Sequence, residues 1–113
     1  MDERTGRALL RERFTAAGLT IQEDFPFREG TIAFSMDGYD PARRIGYEYI
    51  TTEAGDREEL TPALLAELEA LMARGQLHVL LVDEHDVDNQ PAALTRAADR
   101  FLAALAQHSG GRP

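Results

Sequence analysis

The chain has 113 residues, with twelve basic and twenty acidic side chains, a formal net charge of −8, and neither Cys nor Trp. That length makes one domain able to take roughly two-thirds of its surface out of water, while the lack of Cys excludes disulfides, thiolate metal sites and a cysteine nucleophile. The charge disfavours sequence-independent binding to nucleic acid or anionic lipid, and no apolar run approaches the ~20 residues of a membrane span.

The N-terminus MDERTGRALL carries no apolar stretch of the signal-peptide kind, so a cytoplasmic protein is expected. A helix is predicted over Glu3–Ala17, with Leu10, Phe14 and Ala17 on one face and Gly18 as its stop. Arg4, Arg7 and Arg11 form an outward stripe on it, which reads as a solvated face or an anion-binding one. Leu19–Phe27 reads as a first strand, held at an edge by Pro26. Thr31–Asp37 alternates, with Ile32, Phe34 and Met36 on one side; Ile45–Thr51 alternates too, with Ile45, Tyr47 and Tyr49 on one side. Turn residues between them predict an antiparallel hairpin.

A second helix is expected to start at Thr61-Pro62, Thr as cap and Pro in the first helical position. Leu77–Val82 is almost wholly apolar, as an interior strand buried on both faces would be. Pro91 opens a last helix with apolar residues at helical spacing, and 109–113 reads as a flexible tail after a single domain over 1–108. The order α-β-β-β-α-β-α predicts one α/β domain: a mixed sheet of about four strands flanked by helices, with a crossover before the apolar strand.

The best chemical constellation lies in the hairpin. If its two apolar stripes share a face, Asp37 and Glu48 share the other, beside Ser35 and Gly46. Two such carboxylates either hold a hard cation, Mg²⁺ or Mn²⁺, or are ordinary polar residues of a strand end and a solvated face. A cation there could activate water against a phosphodiester. Tyr39, Tyr47 and Tyr49 cluster in the same hairpin with Arg43 and Arg44. They are either core packing or a surface for a protein partner, a second copy included. The run Asp83-Glu84-His85-Asp86-Val87-Asp88-Asn89 reads as a cation loop or as an acidic lead-in to the last helix. His78 and His108 are scattered, and Ser35 and Ser109 lack a nucleophile-elbow context.

The element order, with an acidic residue ending the second strand and Glu on the third, resembles the PD-(D/E)XK restriction-endonuclease-like superfamily. The resemblance implies a nuclease-like scaffold with Asp37 and Glu48 as metal ligands. It also implies a Lys two residues after Glu48, and Ile50 stands there. All twelve basic residues are Arg, a bias expected of a GC-rich genome, so no lysine anywhere can take the role. The segment Asp37–Ile50 also resembles uncharacterised bacterial proteins sometimes labelled gliding-motility proteins. These readings together predict a non-catalytic interaction module, possible as a homodimer and without nucleic acid or membrane as partner. A metal-dependent phosphodiesterase is the alternative.

Overall fold

A computed structural model describes residues 1–110. Its elements are α1 (Glu3–Ala16), β1 (Gln22–Glu29), β2 (Ile32–Asp40), β3 (Ile45–Ile50), α2 (Asp56–Glu59), α3 (Pro62–Ala73), β4 (His78–Asp83) and α4 (Pro91–Gly110). The strands form one mixed sheet in the order β1-β2-β3-β4, antiparallel except for the parallel pair β3–β4. This is the α/β architecture expected from the alternation of periods 2 and 3.6 along the chain. The short α2 is an addition to it. The expected tail overlaps α4, which includes Ser109 and Gly110, and 111–113 lie outside the described residues.

Local chemistry sets the helix starts. The Asp2 carboxylate accepts a hydrogen bond from the Thr5 N–H at 2.7 Å, and the Thr61 hydroxyl accepts one from the Leu64 N–H at 3.2 Å, just ahead of Pro62. Each bond satisfies an amide that the helix itself cannot.

The sheet is covered on both sides. Leu68 and Leu71 of α3 pack with Phe27, Phe34, Met36, Tyr39 and Val79 on one face. Leu10 and Phe14 of α1 and Leu94 and Ala98 of α4 pack with Tyr47, Tyr49 and Val82 on the other. The two hairpin stripes therefore do not share a face, contrary to expectation. Met36 faces α3, whereas a side chain at Gly38 would strike the Tyr47 ring on the α1 side. Positions two apart should share a face, so the alternation breaks at Asp37. The β1–β2 ladder breaks with it, pairing Phe25 with Met36 and Glu23 with Gly38 but skipping Asp24 and Asp37. Asp24 has the left-handed φ of 50° that turns β1 over at this point.

β4 also differs from expectation. It is not interior but is the last strand of the sheet. Leu77, Val79 and Val82 are nonetheless buried, because helices cover both faces even where no strand lies beyond. Apolar content reports burial of faces and carries no information about neighbours in the hydrogen-bonding direction.

Candidate functional site

Two strands that pair and then part create the polar centre of this molecule. β2 and β3 are paired from Gly38 with Tyr47 to Asp40 with Ile45. One step further along the same register Asp37 stands opposite Glu48, and there carboxylates replace the ladder. The Asp37 N–H donates to Glu48 Oε1 at 2.7 Å, and the Tyr49 N–H donates to Asp37 Oδ2 at 2.8 Å. Each acid thus satisfies a backbone amide that a neighbouring strand would otherwise serve.

The acids turn in different directions. Asp37 Oδ1 lies 3.5 Å from Arg7 Nε on α1, and Arg7 Nη2 also meets Asp24 Oδ1 at 2.7 Å. Glu48 turns to α2 instead. Among the described residues, Glu48, Asp56 and Glu59 are the one group of three carboxylates offering ligand oxygens within 4.8 Å of one another. Asp37 is not in that group; it meets Glu48 through its N–H, while its carboxylate turns to Arg7 and the Tyr49 N–H. Asp56 and Glu59 come from α2, which follows β3. The Thr51 N–H donates to Asp56 Oδ2 at 3.0 Å, and the Ser35 N–H donates to Glu59 Oε2 at 3.3 Å. Buried Leu60 anchors the end of α2 in the core.

Burial governs the electrostatics. Glu48 is wholly buried and Asp37 is 6% exposed. Loss of hydration pushes the Asp37 carboxyl up to about 7, against the pull of the Tyr49 N–H and Arg7. The same burial, reinforced by the Asp37 charge, pushes Glu48 up to about 10. Both carboxyls of the pair are therefore held above the ordinary carboxylate range. Glu48 Oε2 is buried with no hydrogen-bond partner among the described residues.

The partner-binding set of the hairpin is largely absorbed by the fold. Tyr39, Tyr47 and Tyr49 are at most 2% exposed and form core. Arg43 donates to Asp40 Oδ2 at 2.9 Å, while Arg44 donates to Glu29 at 2.7 Å and to the Gln76 carbonyl at 2.6 Å. Asp40 organises this turn by accepting from the Thr20, Ala42 and Arg43 amides. Burial raises its carboxyl, but those donors outweigh burial and hold it below the usual range. The acidic loop after β4 is likewise tied to the protein: Glu84 accepts from the Thr52 N–H at 2.8 Å and Asp83 from the His85 N–H at 2.9 Å. Ser35 sits exposed on β2, and His78 and His85 join no metal-ligating group among the described residues.

Asp56 and Glu59 were legible as a pair, since a spacing of three puts both on one face of a helical turn. What the sequence did not signal was that this turn folds back over Glu48. No protein-family model, curated protein or solved structure matches the chain.

A different surface lies on the far edge of the sheet. β1 is guarded by Pro26, by the turned-over Asp24 and by four charged residues, devices that prevent strand addition. β4, His-Val-Leu-Leu-Val-Asp, has no Pro and no bulge. The His78 N–H donates to the Arg44 carbonyl and the Glu84 N–H to the Ile50 carbonyl, both at 3.0 Å, so even-numbered amides face β3. Val79 and Leu81 turn theirs outward. A groove of about 380 Å³ runs along this edge between Leu80–Val82 and the Ala93 and Ala97 face of α4. Arg96 and Arg100 stand exposed on its rim, in no ion pair among the described residues.

Proposed function

We propose that this chain is a non-catalytic protein-interaction module that receives an extended segment of a partner along β4. The observation that carries the reading is the contrast between its two sheet edges, one guarded and the other open. Strand addition derives affinity from main-chain hydrogen bonds and specificity from pockets for alternate side chains. Val79 and Leu81 supply the first, and the groove beside α4 supplies the second. Arg96 and Arg100 favour an acidic segment, in a molecule that otherwise carries a net charge of −8. A second copy is the simplest such partner, pairing antiparallel across a twofold axis.

Selection of random peptides against the protein tests this reading, with sedimentation over a concentration series as the check on self-association. Extended, acidic binders that shift the Val79 and Leu81 amide resonances are expected, with binding lost in the Arg96→Glu/Arg100→Glu variant. Binders indifferent to that variant, together with a monomer at all concentrations, would remove β4 as the interaction element.

A metal-dependent phosphodiesterase is the second reading, favoured by the buried acids Asp37 and Glu48 on a nuclease-like order of elements. Ile50 weakens it. That side chain packs against the α3-side core, where the resembled superfamily has Lys.

A further inference from the structure

The structure carries an observation independent of the β4 edge. Carboxylate clusters on protein surfaces are common and mean little alone. This one differs because a member is wholly buried and has an oxygen to spare. Glu48 Oε1 is occupied by the Asp37 N–H, whereas Oε2 has no partner among the described residues. A buried polar atom without a partner costs about 1–3 kcal/mol, and more when charged. Oε2 is the oxygen left for the cluster with Asp56 and Glu59.

We infer that Glu48, Asp56 and Glu59 form a binding site for one hard divalent cation, of the Ca²⁺, Mn²⁺ or Mg²⁺ class. The donor set is oxygen alone, with no imidazole or thiolate, which selects hard ions over zinc or copper. The ligands are already oriented. The Thr51 amide holds one oxygen of Asp56 and the Ser35 amide one of Glu59, leaving each acid a second oxygen for the ion. Entry is from the solvent side, where Glu59 is exposed while Glu48 and Asp56 are buried. Among the described side chains, Arg7 is the cation beside Asp37, and it is already shared with Asp24. A bound divalent ion would satisfy Oε2 and offset the negative charge of the three carboxylates. It would also fasten α2 to the end of β3, joining the loop after the hairpin to the sheet.

The experiment is a calorimetric titration of the chelator-treated full chain with CaCl₂, MnCl₂ and MgCl₂ in turn, alongside amide spectra with the diamagnetic ions. One ion per chain is expected, with shifts at Thr51, Ser35 and Asp37. Glu59→Gln should weaken binding at least about tenfold, the scale of losing one metal-site interaction. Glu48→Gln should weaken it similarly, and the nearby exposed Glu58→Gln should leave it unchanged. Glu59 is at the surface, so its variant keeps the test decisive even where Glu48→Gln disturbs folding. No saturable binding by the wild-type chain would overturn the site, and so would binding that Glu59→Gln leaves intact.

Discussion

Single side chains show where the fold overrules local preference. Gly6 lies inside α1, where Ala would be favoured by about 1 kcal/mol. A methyl group there would run into the Tyr49 ring, which is itself wholly buried. Gly6→Ala is therefore expected to destabilise the protein by about 1–2 kcal/mol net, since overpacking outweighs propensity; equilibrium denaturation in urea measures it, and a gain in stability would show that Tyr49 yields freely. Asp37 and Glu48 give a second residue-scale expectation, with its sign set by their raised folded values. A carboxyl raised from 3.8 to about 7, beside one raised from 4.5 to about 10, keeps a proton that the unfolded chain has released. The folded state then binds more protons than the unfolded state above about pH 4.5, so the pair's contribution to stability falls as pH rises through neutrality. Denaturation with chelator present, repeated between about pH 5 and pH 8, should show this decline. Glu48→Gln should flatten it, and an unchanged slope in that variant would place the proton elsewhere.

At the scale of elements, β4 offers a direct check on which edge is open. Amide exchange should alternate along it, slow at Leu80 and Val82, which face β3, and fast at Val79 and Leu81, which face outward. Equal protection at all four would mean that something covers the edge. The same strand shows what could be read in advance. Its existence, its apolar faces and its parallel crossover all followed from six apolar-rich residues after a helix, because those features depend on burial. Its place at the end of the sheet did not follow, because hydrogen-bonding neighbours leave no mark on hydropathy. The hairpin teaches the same lesson in finer detail. Antiparallel pairing of β2 with β3 was readable from alternation and turn residues. The faces were not readable, since a single left-handed Asp24 on another strand reverses them. Glu48 was legible as a candidate beside Asp37, whereas its nearness to Asp56 and Glu59 was not. Asp56 and Glu59 reach it only through a loop whose path depends on tertiary contacts at Thr51 and Leu60.

On the scale of the whole molecule, charge and catalytic equipment weigh against hydrolysis of nucleic acid. A substrate carrying one phosphate charge per residue must approach a chain of net −8, and at physiological ionic strength that repulsion extends about 8 Å. Several of the arginines that might offset it are engaged within the fold, Arg7 with Asp24 and Asp37, Arg11 with Glu23, Arg13 with Asp99 and Arg44 with Glu29. Hydrolysis further requires a water deprotonated in line with phosphorus. No lysine exists to assist, arginine stays protonated at any working pH, and Ile50 contributes only apolar surface. A cation at Glu48, Asp56 and Glu59 would supply Lewis acidity without the rest of that machinery. The purified protein is therefore expected to leave single- and double-stranded DNA and RNA uncut in Mg²⁺ or Mn²⁺. The informative comparison sets the wild-type chain beside Asp37→Ala and Glu48→Ala, with circular dichroism confirming that each is folded. Metal-dependent cleavage by the wild type that vanishes in both variants would establish the phosphodiesterase reading and displace the interaction module. Intact substrate with all three proteins, alongside saturable cation binding by the wild type, would mean that the buried carboxylates hold an ion to brace the fold rather than to cut a phosphodiester.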